Sequence, residues 1–165
     1  MRVVVAACLL AAAVLAGCAS PMNVMNVAPG MPREEVIARA GPPARVWPQP
    51  NGGQRLQYTM MPWGYYAFMV DVDAGGRVVQ ARQVMSPREF YRIETDRWTR
   101  EDVEREFGPP ARIDAVTSWQ GPVYTYRWYE PGQGPMFWFI YFDPQGVVRR
   151  HHQSMEYING PSDRR

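Results

Sequence analysis

The segment Arg33-Glu34-Glu35-Val36, which runs on to Gly41-Pro42-Pro43-Ala44-Arg45-Val46, returns sixty-seven positions later as Arg100-Glu101-Asp102-Val103 running to Gly108-Pro109-Pro110-Ala111-Arg112-Ile113. Self-similarity at one fixed register means two copies of one supersecondary unit. The chain is therefore constrained to a tandem, and tandem copies must bury something between them.

Within each copy the pattern reads helix first, then strands. In the second, Thr99 stands as N-cap before Arg100 to Phe107, with acidic residues in the first turn and Val103 and Phe107 on one face. In the first, Pro32 takes the equivalent place, and Val36, Ile37 and Ala40 form the apolar stripe. Gly41 and Gly108 stop these helices, and the Pro-Pro after each forces an extended exit. The period then changes from about 3.6 to 2. Leu56, Tyr58 and Met60 alternate with polar neighbours, as do Tyr124, Tyr126 and Trp128. The stretches Tyr65 to Asp73 and Met136 to Asp143 end in Asp73-Ala74-Gly75-Gly76 and Asp143-Pro144-Gln145-Gly146, turns that return through Arg77 to Met85 and Val147 to Met155. Ser86-Pro87-Arg88-Glu89 reads as a capping box opening a short helix through Phe90 and Ile93, with Val24 and Val27 as its weaker counterpart ahead of the first copy. The expected fold class is α+β: two tandem repeats, each a short helical segment packed on a three- or four-stranded antiparallel sheet.

Ahead of the repeats, Met1-Arg2 and the apolar run Val3 to Leu15 have the form of a secretory signal, too short to span a bilayer. Leu15-Ala16-Gly17-Cys18 resembles the bacterial lipobox. The resemblance implies cleavage before Cys18 and acylation of that cysteine, palmitate included, with each buried methylene contributing about 0.8 kcal/mol to anchoring. Ala19 after the cysteine implies sorting to the outer membrane; the alternative is a plain secretory signal with a coincidental Cys18. The expected organisation is a signal peptide over 1–17, a flexible tether over 18–28, repeats over 29–85 and 86–158, and a disordered tail over 159–165. Cys8 leaves with the signal and Cys18 is used by lipid, so neither a disulfide nor a thiolate metal site is expected. Without Arg2 the mature chain has seventeen basic against sixteen acidic residues, and no basic run interleaved with aromatics suggests nucleic acid.

The series Gly30-Met31-Pro32-Arg33-Glu34-Glu35-Val36, Gly41-Pro42-Pro43 and Val72-Asp73-Ala74-Gly75-Gly76-Arg77-Val78 resembles the SmpA/OmlA lipoproteins, the BamE-like fold. The second copy resembles it through Phe90-Tyr91-Arg92-Ile93, Trp98 to Val103, Gly108-Pro109-Pro110 and Phe142 to Gly146, but has Arg97-Trp98 in place of Gly-Met. The resemblance implies an accessory role in outer-membrane β-barrel assembly. Two such units in tandem are similar in architecture to the secreted β-lactamase inhibitor proteins, which implies, as an alternative, a module that clamps a periplasmic hydrolase.

The strand Phe137-Trp138-Phe139-Ile140-Tyr141-Phe142 is apolar on both faces, whereas a sheet with helices on one side needs only one apolar face. Matching Phe68, Val70 and Val72 to Trp138, Ile140 and Phe142 places Phe137, Phe139 and Tyr141 on an open face, opposite the modest Ala67, Met69 and Asp71 of the first copy. Clustered aromatics there are candidate anchors for a protein partner, with Trp63, Tyr65 and Trp119 in aromatic loop tips beside them. The competing reading has the two sheets pack together, or the Trp63 and Trp119 loops fold over that face. His151 and His152 point to opposite faces of their strand and do not chelate together, and Asp71 and Asp73 beside a turn suit turn capping better than paired acid chemistry. No nucleophile motif or phosphate-cradling loop is present, so no cofactor or metal is expected. The expectation is a noncatalytic binding lipoprotein of the outer membrane; a purely structural envelope lipoprotein is the remaining alternative.

Overall fold

The computed structural model describes residues 19–156; the signal, Cys18 and the expected tail lie outside the described residues. Helix α1 spans Arg33–Ala40, α2 Pro87–Phe90 and α3 Arg100–Phe107. The start of α3 is a complete capping box: Thr99 Oγ1 accepts from the Asp102 N–H at 3.3 Å, and Asp102 Oδ2 accepts from the Thr99 N–H at 2.9 Å. Thr99→Ala is expected to lower stability by about 1 kcal/mol, read from the urea midpoint, because the Asp102 N–H loses its side-chain acceptor. Gly41 and Gly108 close α1 and α3 at φ of +84° and +79°, donating their N–H groups back to Ile37 and Glu104 carbonyls at 2.8 Å each.

Two local expectations are corrected. Ser86 makes no side-chain cap; only its carbonyl serves α2, because the Glu89 carboxylate is drawn to Arg82 and Arg92 instead. The stretch expected to be a leash contains a 3-10 helix, Pro21–Asn26, capped by Ser20 and docked on the first repeat through Val24, which is 2% exposed. An apolar valine in reach of an incomplete core is sufficient to seat it.

The strands form two four-stranded antiparallel meanders. The first holds β1 (Arg45–Pro48), β2 (Gln54–Thr59), β3 (Ala67–Val72) and β4 (Val78–Gln83); the second holds β5 (Arg112–Ala115), β6 (Pro122–Glu130), β7 (Gly134–Phe142) and β8 (Val148–Met155). Their registers coincide. Leu56 pairs Val70 and Val70 pairs Ala81 in the first sheet, as Tyr124 pairs Ile140 and Ile140 pairs His151 in the second. Both sheets shift register at the same place, Asp71/Val72 and Tyr141/Phe142. At Gly53 and Gly121, which are equivalent, a Cβ would lie 2.2 Å from the Val72 carbonyl oxygen and 2.0 Å from that of Phe142, so both copies need a glycine where β2 or β6 begins.

In the first repeat Leu56, Tyr58, Phe68, Val70 and Val72 are buried under Val36, Ala40 and Val24. In the second, Tyr124, Tyr126, Trp138, Ile140 and Phe142 are buried under Phe90, Val103 and Phe107, with the Phe90 and Trp138 rings stacked at 4.8 Å. The opposite face of the first sheet is not open, contrary to expectation. Ala67 and Met69 are fully buried in the core of the second repeat, against the layer that holds α2 and α3. The sheets do not pack on each other: the order is helices, sheet, helices, sheet, and each repeat is displaced along the stack rather than turned to face its neighbour. Among the described residues such a stack covers every sheet face except its last.

Candidate binding face

The covered face of the first sheet shows how a helix is held in this stack. Gln57 donates from Nε2 to the Glu104 and Arg105 carbonyls at 2.8 and 2.9 Å, so the last turn of α3 is tied to β2 by a side chain. Arg55 forks onto Asp71 at 2.6 and 3.0 Å and also reaches Glu106, which Arg82 contacts from β4 at 3.3 Å. Asp71 is therefore no turn cap, as expected from sequence, but half of a buried pair; Asp73 is the turn residue, accepting the Arg77 N–H at 2.8 Å. Burial pushes the Asp71 carboxyl up, yet the hydrogen bonds and charge of Arg55, aided by Gln80 and Arg82, outweigh it and hold the group below the usual carboxylate range. Burial likewise works against the Arg55 cation, and Asp71 with Glu106 raises its pKa despite that.

On the second sheet the equivalent positions carry different chemistry. Arg55 and Gln57 become Val123 and Thr125; Ala67, Met69 and Asp71 become Phe137, Phe139 and Tyr141; Gln80 and Arg82 become Arg150 and His152. Phe137, Phe139 and Tyr141 are half-buried on a face that no helix covers among the described residues. Two residues apart along a strand, they span about 13 Å. Their cover is largely one another: the Phe137 and Phe139 rings lie 5.8 Å apart, and His152 rests on Phe139 at 5.3 Å and on Tyr141 at 5.5 Å. His151 goes to the other face, stacked on Trp138, with burial lowering its pKa despite the Ile93 backbone.

Each end of this row is closed by one of the expected loops. Trp119 donates its indole N–H to the Phe142 carbonyl at 2.7 Å and meets Tyr141 edge-on at 5.4 Å. At the other end Arg127 pins the first repeat's loop: it donates to the Trp63 carbonyl at 2.7 Å and the Tyr65 hydroxyl at 2.8 Å, and lies 4.5 Å above the Tyr65 ring. Glu156 holds the same guanidinium at 2.6 and 3.0 Å, and this hydrogen bonding is the main reason its pKa is raised. Trp63 is 85% exposed, standing at the rim of a shallow recess of about 430 Å³ floored by Phe137 and Thr125 and bounded by Arg112 and Arg127. The structure thus brings Phe137, Phe139, Tyr141 and Trp119 together with Trp63 at the rim, while Tyr65 is tucked under Arg127.

Arg127, Glu156 and Arg150 carry no signal of this site in the sequence, and His152 is weighed there only for metal chelation. Arg127 reaches across more than sixty positions to Trp63 and Tyr65, and no local pattern signals that. Among the described residues no cluster of three or more histidine, cysteine or acidic side chains could hold a metal ion, and no helix is long and apolar enough to cross a membrane.

No family model matches this chain, and no curated protein matches it. A solved structure it is similar to is a DUF4309 family protein, YjgB, from Bacillus subtilis, at 14% identity, covering 83% of this chain and 98% of that one with a TM-score of 0.32. The SmpA/OmlA resemblance is corrected: no model of that family matches this chain. The residues behind it were helix stops and turn formers, which specify a scaffold shared by unrelated proteins. The barrel-assembly role it implied no longer has that resemblance behind it.

Proposed function

We propose that this chain is a noncatalytic protein-binding lipoprotein of the cell envelope, anchored at the outer membrane through Cys18 and holding a protein partner on the outer face of its second sheet. The observation that carries the reading is the contrast between equivalent positions. Ala67, Met69 and Asp71 are buried beneath α3, whereas Phe137, Phe139 and Tyr141 stand where the described residues add no further layer. Aromatic side chains give large contact area at small entropic cost and dominate interface energetics when a partner excludes water from them. Arg127 and Trp119 hold both ends of the row in place before any partner arrives, which reduces the ordering cost of binding.

Affinity purification of the full chain from chemically cross-linked envelopes tests this. An envelope protein is expected to be enriched with the native chain and with Val79→Ser, an exposed change on β4, and lost with Phe139→Asp. Cys18→Ser should move the chain to the soluble fraction. Recovery of the same proteins with and without Phe139→Asp would contradict the proposal.

A further inference from the structure

We infer that the outer face of the second sheet takes an acidic amphipathic helix from a partner protein, laid down as α3 lies on the first sheet. The inference rests on reading this face as a protein-binding surface and adds the chemistry of the partner. The first sheet already shows what the equivalent face accommodates: a helix whose Glu106 carboxylate sits over Arg55 and Arg82, and whose Val103 and Phe107 share one buried cluster with Ala67 and Met69. On the second sheet Met69 is replaced by Phe139, so the apolar part of the seat is enlarged. One cation remains, displaced to the position of Gln80. His152 occupies the position of Arg82, and Arg150 lies next to it along the same strand face, its guanidinium 5.2 Å above the Tyr141 ring.

Arg150 has no carboxylate partner among the described residues, whereas its neighbour Arg149 is paired with both Asp96 and Asp143. A cation held against an aromatic ring at the edge of an apolar row favours a carboxylate that arrives with apolar neighbours. A helix supplies that spacing, since residues three and four apart share one face. The first helix of a second copy does not supply the charge. Its residue equivalent to Glu106 is Arg39, a cation where the first sheet receives a carboxylate.

The test is site-specific photo-crosslinking in intact cells, with p-benzoylphenylalanine placed in the full chain at Phe139 and, separately, at Tyr141. Both positions are expected to join a partner peptide from a helix bearing Asp or Glu three or four residues from apolar side chains. Arg150→Glu should lower the yield about tenfold, and Arg88→Glu, an exposed change on α2, should not. Adducts joining two copies, adducts to residues 157–165, adducts to a strand or loop of the partner, or a yield unmoved by Arg150→Glu would each overturn the acidic helix while leaving the face a binding surface. Absence of any protein adduct from both positions would overturn the protein-binding reading as well.

Discussion

Asp71→Ala is expected to lower the unfolding free energy by about 3–5 kcal/mol, because it leaves Arg55 buried with half its partners gone. Arg55 and Asp71 are 6% and 9% exposed, and the guanidinium keeps only Glu106 and the Arg105 carbonyl after the change. The double replacement Arg55→Met with Asp71→Leu should cost less than Asp71→Ala alone, since it removes both buried charges together. Asp71 also makes acid the weak direction. Its folded pKa lies below the unfolded value of about 3.9, so its contribution is fully present above that value and is lost as pH falls through the folded one. Urea midpoints at pH 7 and pH 3 for the native chain and Asp71→Ala check this: the difference between the two proteins should shrink at the lower pH. An Asp71→Ala chain within 1 kcal/mol of native at pH 7 would show that Arg55 does not depend on Asp71 to stay buried.

Neighbouring residues on β7 are expected to differ sharply. Trp138→Ala should cost about 3–5 kcal/mol, since Trp138 is fully buried, stacked on Phe90 and edge-on to Tyr91. Phe139→Ser, one position on, should cost about 1 kcal/mol, the scale of cross-strand contacts with Phe137 and His152. The order reverses for binding: Phe139→Ser should weaken partner capture about thirtyfold, as truncated aromatic anchors commonly do. Denaturant midpoints and cross-linking yield, measured on the same preparations, separate the two effects. Equal destabilisation by both changes would place Phe139 in a core.

The elements were legible because their signals are local. Thr99 with Asp102, the glycines at 41 and 108, and the Asp-to-Gly turns at 73–76 and 143–146 each act within a few residues, and α3 and both hairpins follow from them. The inward set Trp138, Ile140 and Phe142 could be read from alternation and from its match to Phe68, Val70 and Val72. What alternation does not encode is which copy covers which face. That depends on Gln57 meeting the end of α3 and on Arg55 meeting Glu106, contacts between residues about fifty positions apart. Asp71 was misread for the same reason: beside a turn it looks like a cap, and its partner Arg55 lies on another strand. The equivalence of Gly53 and Gly121 was hidden by loop lengths, since the offset between copies grows from sixty-seven at the helices to seventy at β3 and β7. The aromatic row was visible in sequence as an excess. Its meaning came only with the stack, which has a helix over Met69 and none over Phe139.

Hydroxyl-radical footprinting of the unaltered chain tests the central claim most directly, with labelling of Phe137, Phe139 and Tyr141 compared between purified protein and intact envelopes. The binding-face account predicts ready labelling of all three in the purified chain and strong protection in envelopes, with exposed Tyr91 labelled equally in both. Equal labelling of the row in both preparations would contradict it.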